Sequence, residues 1–259
     1  MTSVLAFDIE TVPDIPGARR IHELETLSDE DVARAIAAQR RQQTGGSEFM
    51  RLHLHRVVAI SLAGHVEGRF RVWSLGDPED GEEVLLTRFF DGLERYTPTL
   101  VSWNGGAFDM PVLQQRALIH GVCAPRYWET GERDPSFRYN NYLNRYHHRH
   151  TDLMDLLSGH QLRAAAPLDE LAVLCGLPGK MGMAGREVAD AVAAGELERV
   201  RDYCETDVLN TYLLYLRFQH LRGALDEGGY AGACDEVAQV LGASDRPHLR
   251  AFLEAWRGA

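Results

Sequence analysis

The run SVLAFDIETV, residues 3–12, sets two carboxylates into a stretch apolar enough for the middle of a sheet. A strand alternates its side chains between faces, so Asp8 and Glu10 project from one side while Leu5, Phe7 and Ile9 project from the other. Two acids that close raise each other's pKa unless something positive lies between them, and clustered oxygen ligands usually solve this by holding a hard divalent cation. An edge strand with a solvated polar face satisfies the same pattern. D-x-E is too short and common a string to separate the two by itself.

At 259 residues, 45% hydrophobic and 25% charged, the chain has the composition of an ordinary globular protein, long enough for a large core. No apolar run reaches bilayer length and no signal-type segment opens the sequence, so the expected location is the cytoplasm, away from membranes. Cys123, Cys175, Cys204 and Cys234 stand far apart with no C-x-x-C spacing, which argues for reduced structural thiols rather than a disulfide framework or a structural zinc site. The formal net charge of −11 opposes the basic surface that grips long duplexes. Basic residues are nonetheless grouped locally, at Arg51, His53, His55 and Arg56 and again at Arg126, Arg133, Arg138, Arg145 and Arg149. Such a surface suits one strand end in a small groove.

The pattern alternates strands and helices. Residues 25–46 predict a helix that starts at Ser28, carries acids in its first turn and ends at glycines, within a helical insertion over about 17–50. Residues 56–75 read as two strands around a turn near Glu67 and Gly68, residues 82–96 as a helix, 99–103 as a short buried strand and 110–119 as a helix. The acids of DPEDGEE, 77–83, read as a turn and helix start. A loop-rich excursion follows over about 121–150, then helical LMDLLSG and LDELAVLCG, then a long helix over 196–221. A strand cluster with interleaved and terminal helices predicts one α/β domain, residues 1–259, on a mixed sheet.

Two further places hold acids where a core is expected. In WNGGAFDMPVL, 103–113, Asp109 precedes Pro111 at a helix start, where it is either an N-cap or a ligand, and Asn104 suits a turn. In the long helix, Val200, Cys204, Val208, Tyr212 and Tyr215 form a core-facing stripe, and Tyr203 and Asp207 lie on or beside it. An inward Asp is costly unless it is paired, hydrogen-bonded or bound to metal.

Taken in order, F-D-I-E-T at 7–11, N-G-G-A-F-D-M-P at 104–111 and Y-x-x-x-D at 203–207 resemble the three exonuclease motifs of the DEDD superfamily, in its tyrosine-bearing branch. The likeness is to stand-alone predicted 3′–5′ exonucleases related to the exonuclease domain of family B DNA polymerases. It extends through HTDLMDLL, LDELAVLCGLPGK and RDYCETDVLNTYLLYLR, and is weaker over 17–50 and beyond 222. The histidine branch would place His at 202, where this chain has Asp.

The resemblance implies a ribonuclease H-like fold and a catalytic set of Asp8, Glu10, Asp109, Tyr203 and Asp207, the four acids holding two Mg²⁺ or Mn²⁺ ions about 4 Å apart. It implies that Asp8 bridges the ions and Tyr203 orients the attacking water. Thr11, Asn104, Phe108 and Lys180 are the candidates for holding the terminal nucleotide. The implied substrate is single-stranded nucleic acid, DNA or RNA, with a free 3′ end, degraded to nucleoside 5′-monophosphates. No polymerase domain is expected in the same chain. A catalytically inactive nucleic-acid-binding module and an interaction protein on the same fold are the alternatives. Trp103 and Tyr127 are further stacking candidates. HHRH, 147–150, reads as a solvated or phosphate-contacting face, because adjacent histidines do not converge on one ion.

Overall fold

The structure is a computed structural model and describes residues 3–258. Among these residues five strands form a mixed sheet: β1 (Val4–Pro13), β2 (His55–Val66), β3 (Arg69–Ser74), β4 (Thr99–Ser102) and β5 (His150–Asp152). They lie in the order β3-β2-β1-β4-β5, with β2 antiparallel to both β1 and β3, and β4 parallel to both β1 and β5. Order and directions are those of the ribonuclease H-like fold.

The helices are α1 (Ile15–His22), α2 (Asp29–Thr44), α3 (Glu82–Tyr96), α4 (Asp109–His120), α5 (Leu153–Leu157), α6 (Leu168–Leu174), α7 (Val188–Ala193), α8 (Leu197–Leu221), α9 (Glu227–Ala243) and α10 (Pro247–Gly258). The sheet is covered on both faces, which is why β2 is buried almost throughout. Leu5, Phe7 and Ile9 face a core shared with α3 and α4, while Ala6 faces one shared with α8. The alternation read from the sequence therefore holds, and Asp8 and Glu10 point toward the α8 side. No helix among the described residues is long and apolar enough to cross a membrane.

Ser28 caps α2 through a bond from the Asp31 N–H, Gly45 closes it in the left-handed region, and Glu67 and Gly68 turn β2 into β3 with positive φ at both. The insertion is wider than 17–50: it leaves β1 at Asp14 and rejoins β2 after Leu54, with Asp14 N–H donating to Leu54 O at 2.8 Å and Pro13 paired with His55. The strand β5, the short α1 and α7, and the terminal α9 and α10 lie outside the elements that the sequence pattern predicts.

DPEDGEE is the turn and helix start that the sequence suggests, and one of its acids is also a buried anchor. Glu82 is buried and accepts from Arg116 Nε at 2.8 Å and from the Val57 N–H at 2.7 Å. Arg116 Nη1, also buried, donates to Asp14 Oδ2 at 2.6 Å. This three-residue network joins the end of β1, the start of α3 and the middle of α4, satisfying each buried charge with the others.

Candidate active site

The site forms where β1, the turn after β4 and α8 meet. A bulge between Glu10 and Thr11 breaks the β1–β2 register just after the two acids, and such irregularities re-aim side chains beside functional clefts. Asp109 is the first residue of α4, but its side chain does not cap that helix. Its Oδ1 instead accepts from the Ile9 N–H at 3.2 Å, which anchors it against β1 between Asp8 and Glu10. The N-cap alternative is thereby overturned.

The turn that delivers Asp109 is held by Asp152, which no sequence pattern singles out. Its carboxylate accepts from the Asn104 N–H at 2.9 Å and the Gly106 N–H at 2.8 Å. Asn104 sits at φ 65°, and at Gly105 an added Cβ would lie 2.3 Å from Ser102 Oγ, so that position requires glycine. On α8, Tyr203 and Asp207 are both buried, one helical turn apart. The same helix carries fully buried Glu205, which receives Ser74 Oγ at 2.8 Å, Arg246 at 2.7 Å and His248 Nε2 at 2.9 Å. Burial pushes the Glu205 pKa up, but these partners outweigh it and hold the group below the usual carboxylate range. Glu205 thus fastens α8 to β3 and α10, while Asp207 forms no ion pair among the described residues and has the Tyr203 hydroxyl as its side-chain partner.

The electrostatics of the four acids are unlike those of Glu205. Burial, then the charges of Asp109, Glu10 and Asp207, push Asp8 well above the ordinary carboxylate pKa, although the Cys204 thiol pulls slightly the other way. Glu10 is raised by burial and by Asp207 and Asp109, partly offset by Lys180. Asp109 is pushed up to about 7, chiefly by burial. Asp207 is raised by burial to about 6, against the opposing pull of Tyr203 and Lys180. The Tyr203 hydroxyl is itself raised, by burial and then by Asp207 and Glu10, so it stays protonated at any physiological pH. A cluster of mutually repelling carboxylates, with one lysine to offset it, is chemically suited to divalent cations.

Cys204, a thiol of the core stripe, is fully buried as a structural thiol should be. Its Sγ also lies 3.6 Å from Asp8 Oδ2, and ligand atoms of Asp8, Glu10 and Cys204 fall within 4.8 Å of one another. Nothing in the sequence signals this contact, because it depends on how α8 crosses β1.

Of the nucleotide-holding candidates, Thr11 and Phe108 come together through a residue of the basic group. His55 Nδ1 bonds Thr11 Oγ1 at 2.9 Å, and its ring meets Phe108 edge-on, 5.2 Å between centroids. Phe49, 55% exposed at the end of the insertion, lies 5.0 Å from His55 and 5.7 Å from Phe108. Phe49 and buried His55 therefore pack around Phe108, two aromatic neighbours that the sequence pattern does not single out. Lys180 follows Gly179, at φ 67°, on an exposed loop near Glu10 and Asp207. Tyr127 is buried, stacked on Tyr142 and bonded by Gln114, so it is a packing residue and not a base platform. Trp103 donates to Ala166 O and packs against the α8-side core. In HHRH, His150 is partly buried, bonds Ser102 Oγ at 2.8 Å and is lowered by burial to about 4, which makes it a neutral packing group.

A family model described as a predicted 3′–5′ exonuclease related to the exonuclease domain of PolB matches residues 47–256. The catalytic chain of DNA polymerase epsilon from Emericella nidulans is 25% identical over 147 residues, 55% of this chain and 6% of that protein. The family B DNA polymerase from the hyperthermophilic archaeon Pyrobaculum calidifontis superposes with a TM-score of 0.46 at 18% identity, over 85% of this chain and 25% of that one. The chain thus spans a small part of either polymerase. The family match includes Asp109, Tyr203, Asp207 and the helices beyond 222, where the motif resemblance is weaker, and begins after β1. On these matched residues, the chain belongs to the family of predicted 3′–5′ exonucleases related to the exonuclease domain of PolB.

Proposed function

We propose that the chain is a divalent-metal-dependent 3′–5′ exonuclease, one domain over residues 1–259, that hydrolyses single-stranded DNA or RNA from a free 3′ end to nucleoside 5′-monophosphates. The observation that carries this is the convergence of Asp8, Glu10, Asp109 and Asp207, all with raised pKa values, beside Tyr203, in a chain of this family.

Exonuclease domains of this kind use divalent metals; Asp8 and Glu10 lie close enough to share an ion, and Asp109 and Asp207 are near enough to raise the pKa of both. Asp8, Glu10, Asp109 and Asp207 would hold two Mg²⁺ or Mn²⁺ ions, which when bound supply activation of water and stabilisation of the leaving 3′-oxygen. The chain's own residues do the positioning. Tyr203, held protonated, offers a neutral hydroxyl to orient the attacking water and cannot serve as an ionised base. Ile9 N–H and Tyr203 fix the directions of Asp109 and Asp207, so both carboxylates meet a ligand already oriented. Lys180 offsets charge on Glu10 and Asp207 and would meet a phosphate of the strand. Thr11, Asn104 and Phe108, with Phe49 and His55 beside them, would hold the terminal nucleotide by its polar edge and base face.

The test is degradation of end-labelled single-stranded DNA and RNA of matched sequence in Mn²⁺, Mg²⁺ or chelator. Stepwise shortening from the 3′ end that stops at a 3′-phosphate is expected. Efficient cutting of covalently closed single-stranded circles would refute exonuclease action. A Tm that rises with Mn²⁺ without any turnover would mark a non-catalytic module.

A further inference from the structure

Among the described residues the sheet ends at β3, which pairs with β2 on one side. Its register with β2 runs unbroken from Ser61–Ser74 to Val66–Arg69, with no bulge, and it contains no proline. In an antiparallel edge strand about half of the backbone N–H and C=O groups point away from the neighbour. Among the described residues no backbone group outside the sheet pairs with residues 69–74. An edge left this way is a template for a further strand, and natural proteins ordinarily blunt or cover it.

Along this edge runs a groove of about 760 Å³. One wall is α3, through Phe89, Leu93 and Tyr96, and the other is formed by Val240, Ala243 and Leu249 at the α9–α10 corner. The α3 wall belongs to the core on the Leu5 face of the sheet and the α9–α10 wall to the core on the Ala6 face, so the groove is bounded from both faces. Side chains of an added strand alternate between those faces, so every second one would meet the α3 wall and the others the α9–α10 wall.

The charge at the groove selects its occupant. Arg71, Arg88 and Arg246 line it, and exposed Arg69 precedes it on the same strand. Arg88 is paired with Asp80 and Arg246 with Glu205, whereas Arg69 and Arg71 form no ion pair among the described residues. Two copies of this chain joined through their β3 edges would set these arginines against each other. A strand carrying carboxylates would neutralise them.

We infer that β3 is a docking edge for a partner protein, which contributes an extended segment of alternating apolar and acidic residues as a sixth strand. The six residues of β3 would engage a segment about 20 Å long. None of the four site acids lines the groove, so docking would leave the cleft open.

The probe is a fluorescein-labelled synthetic peptide of sequence EVDVELDV, measured by fluorescence anisotropy, with a lysine counterpart, KVKVKLKV, and an EVDVELDV peptide methylated on alternate backbone nitrogens. Saturable binding of the acidic peptide is expected. It should weaken at least about 10-fold for either altered peptide and for Arg71→Glu, an exposed change whose folding is checked by circular dichroism. Amide exchange in residues 69–74 should slow on peptide addition. The proposal fails if the acidic peptide does not saturate by about 1 mM, if the lysine peptide binds equally well, or if protection appears elsewhere. It also fails if the protein alone is a dimer with the 69–74 amides already protected, since the occupant is then a second copy.

Discussion

Replacing Asp109 with Asn removes one charge from the cluster and keeps an oxygen able to accept from the Ile9 N–H at 3.2 Å. In chelator, this should stabilise the protein. Asp109 is buried, and its pKa rises from an ordinary 3.8 to about 7 in the fold. A raised carboxylate pKa means that the folded state resists ionisation, so stability is lost as pH climbs from the unfolded value through the folded one. At pH 8 the ionised group carries a penalty of about 4 kcal/mol, from about 1.36 kcal/mol for each tenfold change in proton affinity. Relief of even half of it raises Tm by about 4–8 °C for a chain of this size. At pH 5.5 the folded group is largely protonated while the unfolded one is still ionised, so the gain should shrink to about half. The assay is thermal melting of the parent and Asp109→Asn in EDTA at both pH values, repeated with Mn²⁺. With Mn²⁺ the advantage should vanish, because the cation stabilises only a cluster that can bind it. An Asp109→Asn protein that is less stable than the parent in EDTA at pH 8, or equally shifted at both pH values, would refute electrostatic strain at this site.

Tyr203→Phe keeps the packing and removes one hydroxyl, so turnover should fall by about 10²–10⁴-fold with metal affinity unchanged. Asp207→Asn should weaken both, and raising Mn²⁺ should partly rescue it alone; activity against metal concentration for the two variants decides this. Phe49→Ala should raise KM for a single-stranded end by about 5-fold or more with kcat and Tm preserved, the loss of one stacked base, and an unchanged KM would remove Phe49 from the site. Arg116→Met leaves Asp14 and Glu82 buried without their shared partner and should cost about 3–5 kcal/mol in urea unfolding, whereas a loss below about 1 kcal/mol would show that the network is dispensable.

The parts of this fold legible in the sequence are those with a strong local period or a strong end signal. The alternation of 3–12, the Ser28 cap, the Glu67–Gly68 turn and the long stripe from Val200 to Tyr212 all reappear in the structure, within a residue or two at their ends. β5 is illegible because three residues, His150–Asp152, have no period, and only pairing with β4 makes them a strand. Asp109 is legible as an acid at a helix start but not as a partner of Ile9, which lies a hundred positions away. Asp152, Glu205 and Cys204 act through contacts between distant elements. Their residue types are common in turns and helices, and a single sequence offers no sign that one steadies the 104–106 turn or that another abuts Asp8.

The insertion between Asp14 and Leu54 begins and ends at facing positions at the end of the β1–β2 ladder. Topologically it replaces a hairpin turn, and its two ends remain joined whatever the chain does between them. The entropy of closing such a loop grows only with the logarithm of its length, about 0.6 kcal/mol per doubling. The register that sets Asp8 opposite Ser61 is thus insulated from the size and sequence of the excursion. Evolution can lengthen, shorten or exchange this lobe, and with it the Phe49 edge of the cleft, as an interchangeable cap, without moving the carboxylates on the strand beneath.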